Sequence, residues 1–165
     1  EMDRLIEWLP ENIPDDEADS IVHGDFRCDN MVMHPTEPRV IAVLDWELST
    51  LGHPMADLAY QCMQWRLPNQ GDMRGLGGVD RAAMGLPSEA DYVADYARRR
   101  GLGRIDDWPF YLVFAFFRLA AILAGVASRA AAGNASNPEM ARKYGAAVPV
   151  LAGLATNVMR DGADG

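Results

Sequence analysis

Cysteine is scarce in this sequence of 165 residues: only Cys28 and Cys62 are present, and they form no Cys-x-x-Cys motif. Two cysteines do not make the disulfide framework of a small secreted domain, and without paired spacing they do not indicate a zinc site. The cysteine content therefore favours a protein of the reducing cytoplasm. A signal peptide is not indicated either, because the first residues carry acidic rather than basic side chains.

Positive charge is also scarce. The chain has 15 lysine and arginine residues against 24 aspartate and glutamate residues, which gives a net charge of −9. Binding to a nucleic-acid backbone requires a basic surface, so we expect no nucleic-acid partner. With 49% apolar and 24% charged residues, the composition is that of a globular protein, and the length predicts one domain or a large piece of one.

A long apolar run is missing everywhere except at residues 108–128, where Arg118 is the only charged residue. A membrane span needs about 20 apolar residues, and a central arginine costs about 2.5–3.5 kcal/mol on insertion. We therefore interpret this segment as the central buried helix of a helical domain and expect no membrane partner.

The pattern of apolar residues predicts short strands in the first third of the chain and helices in the rest. The run at 40–44 is typical of a buried strand, and shorter apolar segments precede it at 21–22 and 31–33. Start and stop signals predict helices at 2–9 (ended by Pro10), 55–65, 88–100, 108–129 and 137–159. The elements together predict a mainly helical α+β fold.

Three polar residues lie at the ends of the predicted strands. Asp25 opens the loop after the first strand, Asn30 closes that loop, and Asp45 directly follows the run at 40–44. Side chains at strand ends that face one loop can converge on one point, and their carboxylate and amide oxygens suit Mg²⁺ better than Zn²⁺. Taken alone, Asp25 could instead be a turn residue bonded to its own backbone.

The spacing in this loop is H-G-D-x-x-x-x-N, which runs from His23 to Asn30. It matches the catalytic loop of phosphoryl-transfer enzymes, in which a second, metal-binding aspartate follows. The loop is long enough for the first carboxylate to face a substrate hydroxyl while the asparagine faces a metal. Arg27 could neutralise charge on the transferred phosphoryl group, or it could form a surface ion pair with Asp29 or Glu47.

A resemblance to a known family rests on two segments, HGDFRCDN at 23–30 and VIAVLDWELSTLGHPMADLAY at 40–60. They resemble the catalytic half of the aminoglycoside phosphotransferase family, most closely the branch that is also found fused to acyl-CoA dehydrogenases. The resemblance implies a protein-kinase-like fold, of which residues 1–165 would form the C-terminal lobe. Its catalytic and metal motifs would lie at 21–60 and a helical subdomain at 88–160. Asp57, in the family's G-x-P-x-x-D segment, is expected to be structural.

The resemblance also implies a role for each site residue. Asp25 would be the catalytic base, and Asn30 and Asp45 would bind Mg²⁺ on the nucleotide phosphates. Glu47 would be a further metal ligand or a residue that supports the ligands. His23 would orient the loop, although by itself it is as well explained as a buried histidine with backbone hydrogen bonds.

The nucleotide-binding elements of a complete family member are not found in this sequence. There is no G-x-G-x-x-G and no G-x-x-x-x-G-K-[ST] motif, and the glycine-rich segment at 71–78 follows no predicted strand. The only lysine, Lys143, lies in the last predicted helix. We therefore expect the N-terminal nucleotide lobe to be absent and the chain alone to bind nucleotide weakly and have little activity.

The function predicted from the sequence is Mg²⁺-dependent transfer of the terminal phosphate of ATP or GTP to a hydroxyl of a small molecule. The expected partners are the nucleotide, the hydroxyl substrate, and either an N-terminal lobe or a second copy of the chain. Two alternatives remain open. One is a metal-dependent phosphohydrolase that needs no nucleotide lobe. The other is a non-catalytic kinase-like lobe that acts as a binding module through a large exposed apolar patch.

Overall fold

The computed structural model describes residues 1–15, 19–71, 73–134 and 137–163. Five helices and four short strands follow one another: α1 Met2–Glu11, β1 Ser20–Val22, β2 Met31–Met33, β3 Val40–Val43, β4 Thr50–Gly52, α2 Met55–Cys62, α3 Glu89–Arg100, α4 Trp108–Ala131 and α5 Pro138–Ala163. Single 3₁₀ turns lie at Cys28–Asn30, Trp46–Leu48 and Met63–Trp65. The mainly helical α+β fold is confirmed. Two further sequence predictions, an acidic loop at 15–19 and a frayed tail at 161–165, lie partly outside the described residues.

The strands form two separate antiparallel ribbons. Strand β1 pairs with β4, with Ile21 opposite Leu51, and β2 pairs with β3, with Met31 opposite Val43. The three predicted strands are present, but β4 was not predicted. The expectation that the run at 40–44 is buried is wrong: Val40 is 43% and Leu44 is 51% exposed. Val40 and Ile41 point to opposite faces of the ribbon and are both exposed, because two strands alone leave side chains on each face in contact with solvent.

Helix α1 ends later than its proline suggests. Pro10 was predicted to end the helix but lies inside it, and the helix ends at Glu11 with Asn12 as the C-cap residue. The Asn12 backbone donates to the Leu9 carbonyl and its side-chain amide donates to the Trp8 carbonyl at 2.8 Å. Proline removes only the hydrogen bond that its own N–H would donate to the Ile6 carbonyl, and the helix ends one residue later, so few further helical contacts are lost.

The boundaries of α3 and α5 follow their capping residues. The Ser88 side chain accepts a hydrogen bond from the Asp91 backbone at 3.1 Å, and Gly101 ends α3 in the left-handed conformation. The Asn137 side chain accepts a hydrogen bond from the Met140 backbone at 3.0 Å, directly before α5. The predicted starts of both helices are confirmed, although α5 extends to Ala163 rather than 159.

The core lies between the helices, with α4 at its centre. Helix α4 packs chiefly against α5 and also contacts α2 and α1. Its residues Leu112, Val113 and Phe116 are fully buried, whereas Phe114 and Ile122 are exposed. The prediction of a central core helix is therefore confirmed for one face of α4. Among the described residues, α4 is the one helix long and apolar enough to cross a membrane.

Candidate functional site

The second residue of the loop between β1 and β2 is Gly24, a position at which any other residue would be strained. Gly24 has a φ of +85°, which side chains of L-residues rarely adopt. A Cβ atom at this position would lie 2.6 Å from the backbone oxygen of Leu48. The loop therefore packs directly against the 3₁₀ turn Trp46–Leu48, which follows Asp45.

Asp57, in the first turn of α2, holds the start of this loop. Its Oδ2 accepts a hydrogen bond from the His23 backbone at 2.6 Å, and its Oδ1 accepts one from the Gly24 backbone at 3.0 Å. Hydrogen bonds to an ionised acceptor are stronger than neutral ones. The geometry supports the structural role expected for Asp57.

His23 connects the loop to the end of β3. The side chain is buried. Its Nδ1 accepts a hydrogen bond from the Asp25 backbone at 3.2 Å, and its Nε2 lies 2.8 Å from the Leu44 carbonyl oxygen. These partners assign the proton to Nε2, which then donates to Leu44. His23 thus orients the loop through backbone hydrogen bonds, as expected, and is not available as a base.

Asp25, Asn30 and Arg27 are in direct contact. The Asn30 side-chain amide donates to the backbone oxygen of Asp25 at 2.8 Å and to its Oδ2 at 2.9 Å. Arg27 Nε lies 3.3 Å from the same Oδ2, and Arg27 Nη1 lies 3.3 Å from Asp29 Oδ2. The loop spacing therefore brings the predicted base and the predicted metal ligand together. The ion pair of Arg27 with Asp29 is also present, on a half-exposed side chain where it adds little stability.

Asp45 directly follows Leu44, whose backbone connects the end of β3 to the loop at 23–30. The Leu44 backbone donates to the Asn30 carbonyl at 2.8 Å, so Asp45 is one residue away from a direct contact with Asn30. Asp45 has a φ of 64° and is the single non-glycine residue with positive φ in the described chain. A left-handed conformation at a residue other than glycine is uncommon, and such strain is concentrated at functional sites. Its exposed side chain has no hydrogen bond within the described residues.

Glu47 is not brought into this cluster. It lies in the exposed 3₁₀ turn after Asp45, and within the described part of the chain its side chain forms no hydrogen bond or ion pair. The described residues also contain no group of three or more histidine, cysteine or acidic side chains that could bind a metal. A metal at this site would therefore depend on Asn30 and Asp45, and the role of Glu47 stays a prediction.

Two residues of the site were not predicted, Tyr60 on α2 and Arg118 on α4. Arg118 Nη2 donates to the Gly24 carbonyl, and its guanidinium lies 5.6 Å from the centre of the Tyr60 ring. Burial, followed by the charge of Asp25 and hydrogen bonding to it, raises the pKa of Tyr60. The sequence did carry a signal for Arg118, because a lone charge in a long apolar helix requires a polar partner.

The glycine-rich segment at 71–78 has a structural explanation. A Cβ atom on Gly75 would lie 2.5 Å from Leu67 Cβ, and one on Gly77 would lie 2.7 Å from the Leu67 carbonyl oxygen. The Leu76 backbone donates to the Gln64 carbonyl at 2.6 Å. Residues 75–77 therefore pack closely on the backbone at 64–67, and this packing explains two of the glycines in the segment.

Comparison with known families and structures agrees with this geometry. The model of the phosphotransferase enzyme family (APH) matches residues 1–111. A structure from Ralstonia eutropha, assigned provisionally to the aminoglycoside phosphotransferases, is 48% identical and superposes with a TM-score of 0.90. The match covers 97% of this chain and 49% of that protein. The predicted kinase-like fold is therefore confirmed.

Similar regions also occur in much larger proteins. The chain is 47% identical over 137 residues to acyl-CoA dehydrogenase family member 10 of Mus musculus, and 44% identical over 140 residues to family member 11 of Homo sapiens. These matches cover 82% and 84% of this chain but only 13% and 18% of the relatives. The resemblance to the branch fused to acyl-CoA dehydrogenases is thus confirmed, and the chain spans a small part of such proteins.

Proposed function

The chain belongs to the phosphotransferase enzyme family, and from this premise we propose that it is the catalytic half of an enzyme that transfers the terminal phosphate of ATP or GTP, with Mg²⁺, to a hydroxyl group of a small molecule. An N-terminal nucleotide lobe is proposed to complete the activity. The observation that carries the proposal is the contact between Asp25 and Asn30 beside the strained Asp45. This arrangement has the parts that phosphoryl transfer needs: a carboxylate for the substrate hydroxyl and oxygen ligands for a metal on the phosphates.

Asp25 is the group that we propose to receive or orient the proton of the substrate hydroxyl. Its side chain is 24% exposed, so a substrate can reach it, while the Asn30 amide at 2.9 Å fixes its direction. A base held in one orientation lowers the barrier mainly by positioning. No covalent intermediate on the protein is required.

Asn30 and Asp45 fit a magnesium ion by the chemistry of their donor atoms. The Asn30 amide nitrogen is directed at Asp25, which leaves the side-chain oxygen free for a cation, and the Asp45 carboxylate has no other partner within the described residues. Magnesium is commonly held by one or two protein oxygens together with phosphate oxygens and water. A bound Mg²⁺ would neutralise charge on the nucleotide phosphates. Glu47, two residues after Asp45 in an exposed turn, is proposed as a further ligand or as a residue that supports the ligands.

Arg27 is proposed to balance charge on the phosphoryl group. Its side chain is 48% exposed and already lies beside the carboxylates of Asp25 and Asp29. Because the pair with Asp29 is solvent-exposed, exchanging it for a phosphate would cost little. The Asp25 contact keeps the guanidinium next to the proposed site of transfer.

Calorimetric titration of ATP and Mg²⁺ into the chain tests the metal site. We expect Asp45→Ala to abolish Mg²⁺-dependent binding, because it removes the carboxylate that, with the Asn30 side-chain oxygen, is proposed to hold the ion. Glu37→Ala, in the turn between β2 and β3, removes the same charge away from the site and should leave binding unchanged. Glu47→Ala, run in parallel, decides whether Glu47 is a ligand.

Three results would contradict parts of the proposal, one from this titration and two from assays of activity. Equal nucleotide binding by the Asp45→Ala and unmodified chains would exclude Asp45 as a ligand. Transfer of labelled terminal phosphate to small alcohols that is equally fast in Asp25→Asn would exclude Asp25 as the base. Release of phosphate from simple phosphate esters without nucleotide would favour the phosphohydrolase instead.

One observation favours a second function, that of a kinase-like lobe that docks on another protein surface. The two ribbons and the segment after β3 expose a set of large apolar side chains, here called the ribbon surface: Ile21, Met33, Val40, Ile41, Leu44, Trp46, Leu48 and Leu51. Ile21 and Leu51 of this set lie directly opposite each other, and adjoining exposed apolar side chains mark interaction sites in soluble proteins. The second function does not exclude the first, because Asp25 lies outside this set.

A further inference from the structure

Arg118 is the only charged residue at positions 108–128, and it stands on the helix at the centre of the core. Placing a charge on such a helix is costly unless the charge has polar partners. Its partner is a backbone atom that lies 94 positions earlier in the chain, the carbonyl oxygen of Gly24. The arginine therefore has a specific target in the loop that carries Asp25.

The Gly24–Asp25 peptide group is held on both of its sides. Its carbonyl oxygen accepts the hydrogen bond from Arg118, and its N–H, which belongs to Asp25, donates to His23 Nδ1 at 3.2 Å. On either side, Asp57 holds the Gly24 N–H at 3.0 Å and Asn30 holds the Asp25 carbonyl at 2.8 Å. Of these partners, Arg118 is the one that comes from the core helix.

The shape of the guanidinium also matters at this position. Arg118 lies 5.6 Å from the centre of the Tyr60 ring, and Tyr60 interacts in turn with the Asp25 side chain. A planar guanidinium can pack on an aromatic ring and donate a hydrogen bond at the same time, which a lysine ammonium does less well. Arg118 thus touches the backbone before Asp25 and the ring beside its carboxylate.

We propose that Arg118 is a positioning residue for Asp25: through the Gly24 carbonyl and the Tyr60 ring, helix α4 fixes the direction of the base. This inference rests on the proposed function, because it takes Asp25 as the base. Within the described residues, the hydrogen bond of Arg118 is to Gly24 and not to the proposed metal ligands Asn30 and Asp45, so Arg118 should affect turnover rather than nucleotide binding.

The test compares Arg118→Met, Arg118→Lys and the unmodified chain by amide hydrogen exchange and by steady-state phosphotransfer. In Arg118→Met we expect exchange of the Asp25 amide to rise about tenfold, and kcat to fall about tenfold at an unchanged nucleotide KM. Arg118→Lys retains a charged donor for the Gly24 carbonyl, so it should recover part of both effects. The matched control is Arg129→Met, an exposed arginine on the same helix.

The two measurements separate this inference from the proposed function. Exchange that rises only in the loop at 23–30 supports positioning, even if the unmodified chain shows no phosphotransfer and the proposed function fails. Exchange that rises evenly along the whole chain, or matches Arg129→Met, overturns positioning. A fall in kcat with an equal rise in KM overturns it as well. Should Arg118→Met not fold, the Arg118→Lys variant decides by the same criteria.

Discussion

Gly24 combines two constraints that are usually found at different residues. Its φ of +85° disfavours any side chain, and the Leu48 backbone oxygen occupies the space where a Cβ atom would lie. Gly78 has a similar φ of +79°, but no atom lies within 4 Å of its Cβ position. The pair therefore allows backbone strain and steric conflict to be measured separately.

We predict that Gly24→Ala lowers the free energy of unfolding by about 2–4 kcal/mol, the sum of left-handed strain and displacement of the Leu48 backbone. Gly78→Ala should cost only the strain, about 1–2 kcal/mol. Urea unfolding of both variants measures the difference. Equal losses would mean that the loop moves away from Leu48 without cost.

At the scale of residues, the sequence predicts what is local and misses what is distant. The D-x-x-x-x-N spacing predicts the contact of Asp25 with Asn30, because five residues of loop bring these side chains together. The contact of Arg118 with Gly24 spans 94 positions, and no local pattern encodes it. The proposed catalytic and metal-binding roles stay predictions until they are measured.

The ribbon surface is the main feature at the scale of secondary-structure elements. Ile21 and Leu51 lie opposite each other in the β1–β4 pair and are 69% and 75% exposed. Directly opposed apolar residues on an antiparallel ribbon form one continuous patch. Covering this patch with another protein surface would remove its apolar side chains from water, which favours association.

We predict that the chain associates with itself at high concentration and that the double variant Ile21→Ser with Leu51→Ser is monomeric. The reason is loss of apolar area at the ribbon surface, at about 25 cal/mol per Å². Sedimentation velocity across a concentration series measures the effect, with Ile13→Ser, 66% exposed and outside the ribbon surface, as the control. A monomeric unmodified chain would mean that the ribbon surface does not bind a second copy.

The elements themselves could be predicted wherever their ends carry a capping residue. Ser88 and Gly101 define α3, and Asn137 defines the start of α5. Burial could not be predicted in the same way. The apolar run at 40–44 is typical of a buried strand, but it lies in a two-stranded ribbon whose side chains stay exposed. Strand β4 was missed because Leu51 is its one large apolar residue and its pairing with β1 is set by tertiary structure.

At the scale of the whole molecule, the burial of Cys62 in the core makes the free energy of unfolding depend on pH in the alkaline range. Burial of Cys62 among the helices, followed by the charge of Glu89, raises the pKa of its thiol from 9.0 to about 12. Between these values the unfolded chain loses the thiol proton while the folded chain keeps it. Folding stability therefore falls as pH rises above 9.

We predict that the free energy of unfolding falls by up to about 1.4 kcal/mol per pH unit between pH 9 and 10 because of this one thiol. In Cys62→Ala the slope in this range should be smaller, whatever the cost of the cavity. Cys28→Ala, at an exposed position, is the control and should keep the slope of the unmodified chain. Urea unfolding at several pH values measures all three, and identical slopes would contradict the prediction.

The 94 positions between Gly24 and Arg118 also determine when their contact can form during synthesis of the chain. A ribosome adds about 5–20 residues per second, so Arg118 is synthesised about 5 to 20 seconds after the loop that it contacts. By the end of this interval α1, α2 and α3 have been made, but α4 and α5, which form the centre of the core, are still missing or incomplete. A nascent chain therefore carries the complete motif at 23–30 for several seconds before the Arg118 contact with Gly24 can form.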